Sequence, residues 1–86
     1  MADEYGTVGL GGSVDGDVTF HFCYQATENF TVKVNTGQDA SISATLQELG
    51  AGQTTLSVSG SAVNLPGSTF AYVKITVTGG TTTYLS

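Results

Sequence analysis

Apolar and polar residues alternate with a period of two along most of the chain from Asp17 onward, and this pattern decides the fold class. Val18, Phe20, Phe22 and Tyr24 share one parity, with Thr19, His21 and Cys23 on the other. Phe30, Val32 and Val34 alternate with Thr31, Lys33 and Asn35. Ala40, Ile42, Ala44 and Leu46 alternate with Ser41, Ser43, Thr45 and Gln47, and Leu56 and Val58 with Thr55, Ser57 and Ser59. Successive strand side chains point to opposite faces, so each run predicts a strand with one apolar face. The longest is expected over Thr69 to Thr78.

Turn chemistry separates the runs. Thr36-Gly37-Gln38-Asp39, Gly50-Ala51-Gly52 and Gly79-Gly80 break the alternation, and a longer loop is expected from Gly60 to Ser68 around the single proline, Pro66. Strand starts near 18, 29, 40, 53, 69 and 81 are spaced as antiparallel β structure with short links is. Leu46 and Leu49 lie three apart, as in a helical turn, but one uncapped turn does not outweigh the alternation through Ala44. The expected fold is all-β, a small antiparallel β-sandwich of six to seven strands, with a compact β-barrel as the alternative.

Eighty-six residues at 8.8 kDa form one domain. So short a chain buries roughly 60–65% of the surface it exposes when unfolded, and commonly needs a disulfide, a metal or a partner. One cysteine, Cys23, excludes an intrachain disulfide, and one histidine, His21, argues against a zinc site. Oligomerisation, or docking on a larger assembly, is the remaining source of support.

The first 17 residues differ in character. Five glycines fall within residues 6–16, among Val8, Leu10 and Val14, which raises the entropic cost of ordering that backbone. Residues 1–17 read as a glycine-rich N-terminal arm on a β domain spanning 18–86. The arm is either a frayed tail with one edge strand from Ser13, or a segment that orders against a neighbouring subunit with Val8 and Leu10 as anchors. No apolar run of signal-peptide or membrane-span length is present, so the chain is expected to start in the cytoplasm of the cell that makes it.

Gly79-Gly80 reads as a two-residue hairpin loop, pairing residues whose numbers sum to 159 and setting Lys74 opposite Leu85. One face would then carry Ala71, Val73, Ile75, Val77 and Tyr84 toward the core. The other carries Phe70, Tyr72, Lys74 and Leu85, and a solvated face should not hold two aromatics and a leucine. Exposed apolar clusters tend to be contact sites. The alternatives are a ligand platform, or cover from Val63 and Leu65 in the 60–68 loop.

Charge and motif content narrow the function. Lys33 and Lys74 are the only cations, arginine is absent, and seven carboxylates set the net charge at −5. Nucleic-acid binding needs Lys and Arg against phosphate, and an anionic membrane surface needs them too, so neither partner is expected. Asp15-Gly16-Asp17 is a turn lacking the remainder of a calcium loop. His21 and Cys23 share a face, but no second His or Cys exists to complete a metal or nucleophile site, and both read as outer-face filling. No cofactor and no catalysis are expected.

A short, acidic, Gly/Thr/Ser-rich β chain with almost no Lys or Arg resembles the small virion proteins of tailed bacteriophages. The segment from Phe70-Ala71-Tyr72-Val73-Lys74-Ile75 through Gly79-Gly80 to Tyr84 has the strand-Gly-Gly-strand style found there. The resemblance is compositional and transfers no site residues. It implies a capsid decoration (cement) protein, forming a homo-oligomer, with a trimer favoured, that bridges subunits of the major capsid protein. The virion would be its location, assembled in the host cytoplasm, and a tail or fibre subunit is the neighbouring role. From a different class, a carbohydrate- or surface-binding module would use Phe70, Tyr72 and Lys74 as a sugar platform. The expected interface residues are Val8, Leu10, Phe70, Tyr72, Lys74 and Leu85.

Overall fold

A computed structural model describes residues 2–5, 14–36, 40–79 and 82–85. Among these residues there are ten strands and no helix. In chain order they are β1 (Ala2–Tyr5), β2 (Val14–Asp15), β3 (Val18–Ala26), β4 (Phe30–Thr36), β5 (Ser41–Glu48), β6 (Gln53–Thr55), β7 (Val58–Ser59), β8 (Ala62–Leu65), β9 (Ser68–Thr78) and β10 (Thr82–Leu85). Two five-stranded sheets result, ordered β1-β3-β9-β5-β6 and β2-β10-β4-β8-β7. The all-β sandwich expected from the alternation is the observed fold, with more and shorter strands than six to seven.

Each long strand buries the parity that the sequence marks as apolar. Val18, Val32, Val34, Val63, Val73, Ile75 and Val77 have no solvent exposure, and Phe22, Leu46, Leu65 and Ala71 join them in one core. Val, Ile and Phe favour a pleated, half-buried surface, and burying each such side chain contributes roughly 1.5–3 kcal/mol. The first sheet is built on β9, which pairs with β3 from Val18↔Val77 to Tyr24↔Ala71 and with β5 from Ser41↔Thr78 to Glu48↔Ala71. A register shift after Tyr24 ends the regular β3 ladder. The stretch from Ala44 to Leu49, expected as strand rather than a helical turn, belongs to β5 as far as Glu48.

Three local expectations are corrected. Gly79-Gly80 does not close a hairpin, because β10 pairs with β4 and β2 in the second sheet rather than with β9. Gly79 takes a left-handed backbone (φ 87°) and donates its N–H to Asp17 Oδ1 at 2.8 Å, where the chain leaves the first sheet. Leu85 therefore faces inward, 7% exposed, opposite Val34 rather than Lys74, and is core instead of interface. The expected 60–68 loop contains β8, whose Val63 and Leu65 pair with β4 and fill the core, so they do not cover Phe70 or Tyr72. The expected strand through Leu56 divides into β6 and β7, one in each sheet.

Within the segment read as an arm, β1 adds to the edge of β3 in parallel register, from Ala2↔Val18 to Tyr5↔His21, and β2 pairs with β10. Val8 and Leu10 lie outside the described residues, as does the side chain of Tyr84.

Candidate functional site

Strand parity assigns the outer face of the first sheet residue by residue. Because β3 turns Phe22 inward, His21 and Cys23 point out, and β9, which buries Ala71 and Val73, turns Phe70, Tyr72 and Lys74 the same way. In register His21 lies opposite Lys74, and Cys23 opposite Tyr72. Rows continue across β5 to Thr45 and Gln47, and on to Thr55 and Gln53 of β6.

His21 is the junction of this face. Its Nδ1 lies 2.5 Å from the Tyr72 hydroxyl and its Nε2 lies 3.1 Å from Asp3 Oδ1. A carboxylate only accepts, so Nε2 carries a proton and donates it to Asp3. The Tyr72 phenol holds its proton above the ordinary value of 10.0, first through burial and then through the neighbouring Tyr5, Cys23 and Asp3. With the ring proton on Nε2, Nδ1 offers a lone pair, and the Tyr72 O–H is the donor to it. The Tyr5 ring stacks on the imidazole with centroids 4.5 Å apart and planes 11° apart, and the Tyr72 ring lies 6.0 Å away on a plane tilted by 20°.

Tyr5 covers one face of the imidazole, while Tyr72 meets the ring at its Nδ1 edge through the hydroxyl. Apolar exposure lies around this row: Tyr5 is 72% exposed, Phe70 41%, and Leu49, whose backbone N–H bonds the Phe70 carbonyl, 82%. Lys74 is half-buried beside them.

Of the expected interface residues, the structure gathers Phe70, Tyr72 and Lys74 on one face and removes Leu85 from it. Asp3, Tyr5 and Leu49 were not among those expected. Asp3 and Tyr5 belong to a strand that the N-terminal sequence does not signal, and Leu49 follows a run whose parity breaks at Glu48.

Elsewhere, an open cleft lies between the β3–β4 turn and the β8–β9 connection, lined by Gln25, Ala26, Glu28, Asn29, Phe30 and Gly67 among others. Among the described residues no three His, Cys, Asp or Glu side chains converge as a metal site, and no helix is long and apolar enough to cross a membrane. No protein-family model matches the chain, and no curated protein or solved structure is significantly similar to it.

Proposed function

We propose that the chain is a non-enzymatic structural protein of a virus particle, a capsid decoration protein that self-associates as a trimer and bridges neighbouring capsid subunits. The observation that carries this reading is the outer face of the first sheet, where Tyr5, Phe70 and Tyr72 stand beside His21 and Cys23. Among the described residues, that face holds one carboxylate, Asp3, already bonded to His21, and one cation, Lys74, in a chain with seven carboxylates. A second copy can approach there without the carboxylate repulsion it meets elsewhere. Virion location, with assembly in the host cytoplasm, follows the compositional resemblance, and a tail or fibre subunit would use the same face.

Light scattering behind a sizing column at micromolar concentration tests the reading. The trimer is expected for the unaltered chain, with dissociation on Tyr72→Ser. A monomer for the unaltered chain would overturn self-association, and an intact trimer in the variant would move the interface away from Tyr72.

A further inference from the structure

We propose that Tyr72 is the site of one-electron oxidation in this chain, with His21 Nδ1 as the acceptor of its phenolic proton. A phenol that loses an electron becomes a very strong acid, so oxidation is easiest where a base already holds the O–H in a hydrogen bond. Tyr72 has that arrangement: its hydroxyl lies 2.5 Å from an imidazole nitrogen, within the reach a proton acceptor requires. The imidazole is itself placed by Asp3, whose carboxylate faces Nε2 and offsets the positive charge that arrives with the second proton.

The step is balanced. A one-electron oxidant, such as a high-potential metal complex or a peroxidase-type oxidant, takes an electron from the Tyr72 ring. The O–H bond breaks, and its proton bonds to His21 Nδ1. The products are a neutral tyrosyl radical, an imidazolium beside the Asp3 carboxylate, and the reduced oxidant.

The other described tyrosine side chains lack this combination. Tyr24 donates its hydroxyl to the Pro66 carbonyl at 2.6 Å, and an amide oxygen is too weak a base to keep the proton. Tyr5 is the more exposed ring, but it meets His21 through its face. Exposure alone therefore ranks Tyr5 first, whereas proton transfer ranks Tyr72 first.

The experiment is oxidation of the full chain at neutral pH, diluted until light scattering gives a monomer so that the face carrying Tyr5 and Tyr72 is open, by photogenerated ruthenium(III) tris-bipyridine, with modified tyrosines mapped by peptide mass spectrometry. Tyr72 is expected to react ahead of Tyr5 and more slowly in D2O than in water. His21→Phe keeps an aromatic ring for Tyr5 to stack on but removes the base, and should slow modification of Tyr72 by about a hundredfold. Modification led by Tyr5, the absence of an isotope effect in the unaltered chain, or an unchanged Tyr72 rate in a folded His21→Phe variant would each overturn the assignment. The isotope effect needs no variant, so a failure of His21→Phe to fold leaves the proposal open to refutation.

Discussion

Tyr72 reaches His21 diagonally across the β3–β9 ladder: in register it faces Cys23, yet its hydroxyl meets Nδ1 of His21 at 2.5 Å. Diagonal neighbours on one sheet face lie within reach of long side chains. The consequence extends to a third strand. Asp3 and Tyr5, the outward residues of β1, both contact His21, so one imidazole joins the N-terminal strand, β3 and β9. Glu4, turned the other way, is exposed, which leaves β1 held by its backbone ladder and by this ring.

Alkali should weaken the fold through the tyrosines. Burial is the leading cause that raises both Tyr24 and Tyr72 above 10.0, with the charge of Glu48 adding to it at Tyr24. The folded chain therefore keeps these protons where the unfolded chain releases them. The resulting stabilisation is fully present below about pH 10 and is lost as pH rises through the folded values above it. Urea midpoints measured from about pH 9 to about pH 11 should fall more steeply for the unaltered chain than for a Tyr24→Phe/Tyr72→Phe variant. Parallel curves would show that neither phenol is shifted.

The two leucines that end strand-like runs should behave oppositely. Leu85 is 7% exposed and packs in the core, whereas Leu49 is 82% exposed. Leu85→Ala should cost about 2–5 kcal/mol, from lost transfer energy plus the cavity left behind. Leu49→Ala should stay within about 0.5 kcal/mol for the isolated subunit. Denaturant unfolding of both variants at low protein concentration checks the contrast, and equal losses would contradict the inward placement of Leu85.

The error at Leu85 marks where the sequence stops being readable. Runs such as Val18–Tyr24 and Ala71–Val77 announce their strands because six or more residues alternate without interruption. Alternation says which side chains share a face but not which strand lies beside which. Gly79-Gly80 is equally compatible with a hairpin and with passage to the opposite sheet, and the Thr81-Thr82-Thr83 run after it has no apolar parity to decide between them. Val63 and Leu65 carry only one period of alternation between Gly60 and Pro66, too short to separate a strand from a loop. The histidine junction was hidden for another reason: Asp3 and Tyr72 stand 18 and 51 residues from His21, and no spacing rule links them.

Gly67 is required by a close approach rather than by its backbone angle. Its N–H bonds Asn29 Oδ1 at 2.9 Å, and a Cβ there would meet the Glu28 backbone at 3.2 Å and the Ala26 carbonyl oxygen at 3.3 Å. Backbone atoms cannot swing aside as a flexible side chain does. Gly67→Ala should therefore cost about 1–3 kcal/mol through overpacking where the β8–β9 connection crosses the β3–β4 turn. Gly52, with nothing within 4 Å of its own Cβ position, supplies the control. Gly52→Ala should be neutral or stabilise by up to about 1 kcal/mol, because it narrows the unfolded ensemble without a clash. Thermal melts of the two variants distinguish a steric role for Gly67 from a general effect of removing glycine.

Thr83 offers the opposite opportunity. It is fully buried on the inward parity it shares with Leu85, opposite Thr36 of β4, and neither threonine hydroxyl has a hydrogen-bond partner within the described structure. A buried hydroxyl without a partner gives up its hydration and gains nothing in return. Valine has nearly the same shape and no such penalty, and its β-branch suits a strand. Thr83→Val should therefore stabilise the fold by about 1 kcal/mol. Thr83→Ser should destabilise it, because the hydroxyl stays and the lost methyl leaves a gap in the buried layer. Chemical denaturation of the two variants gives the sign directly. Destabilisation by both would mean that the hydroxyl is satisfied after all, by a buried water bridging Thr83 and Thr36.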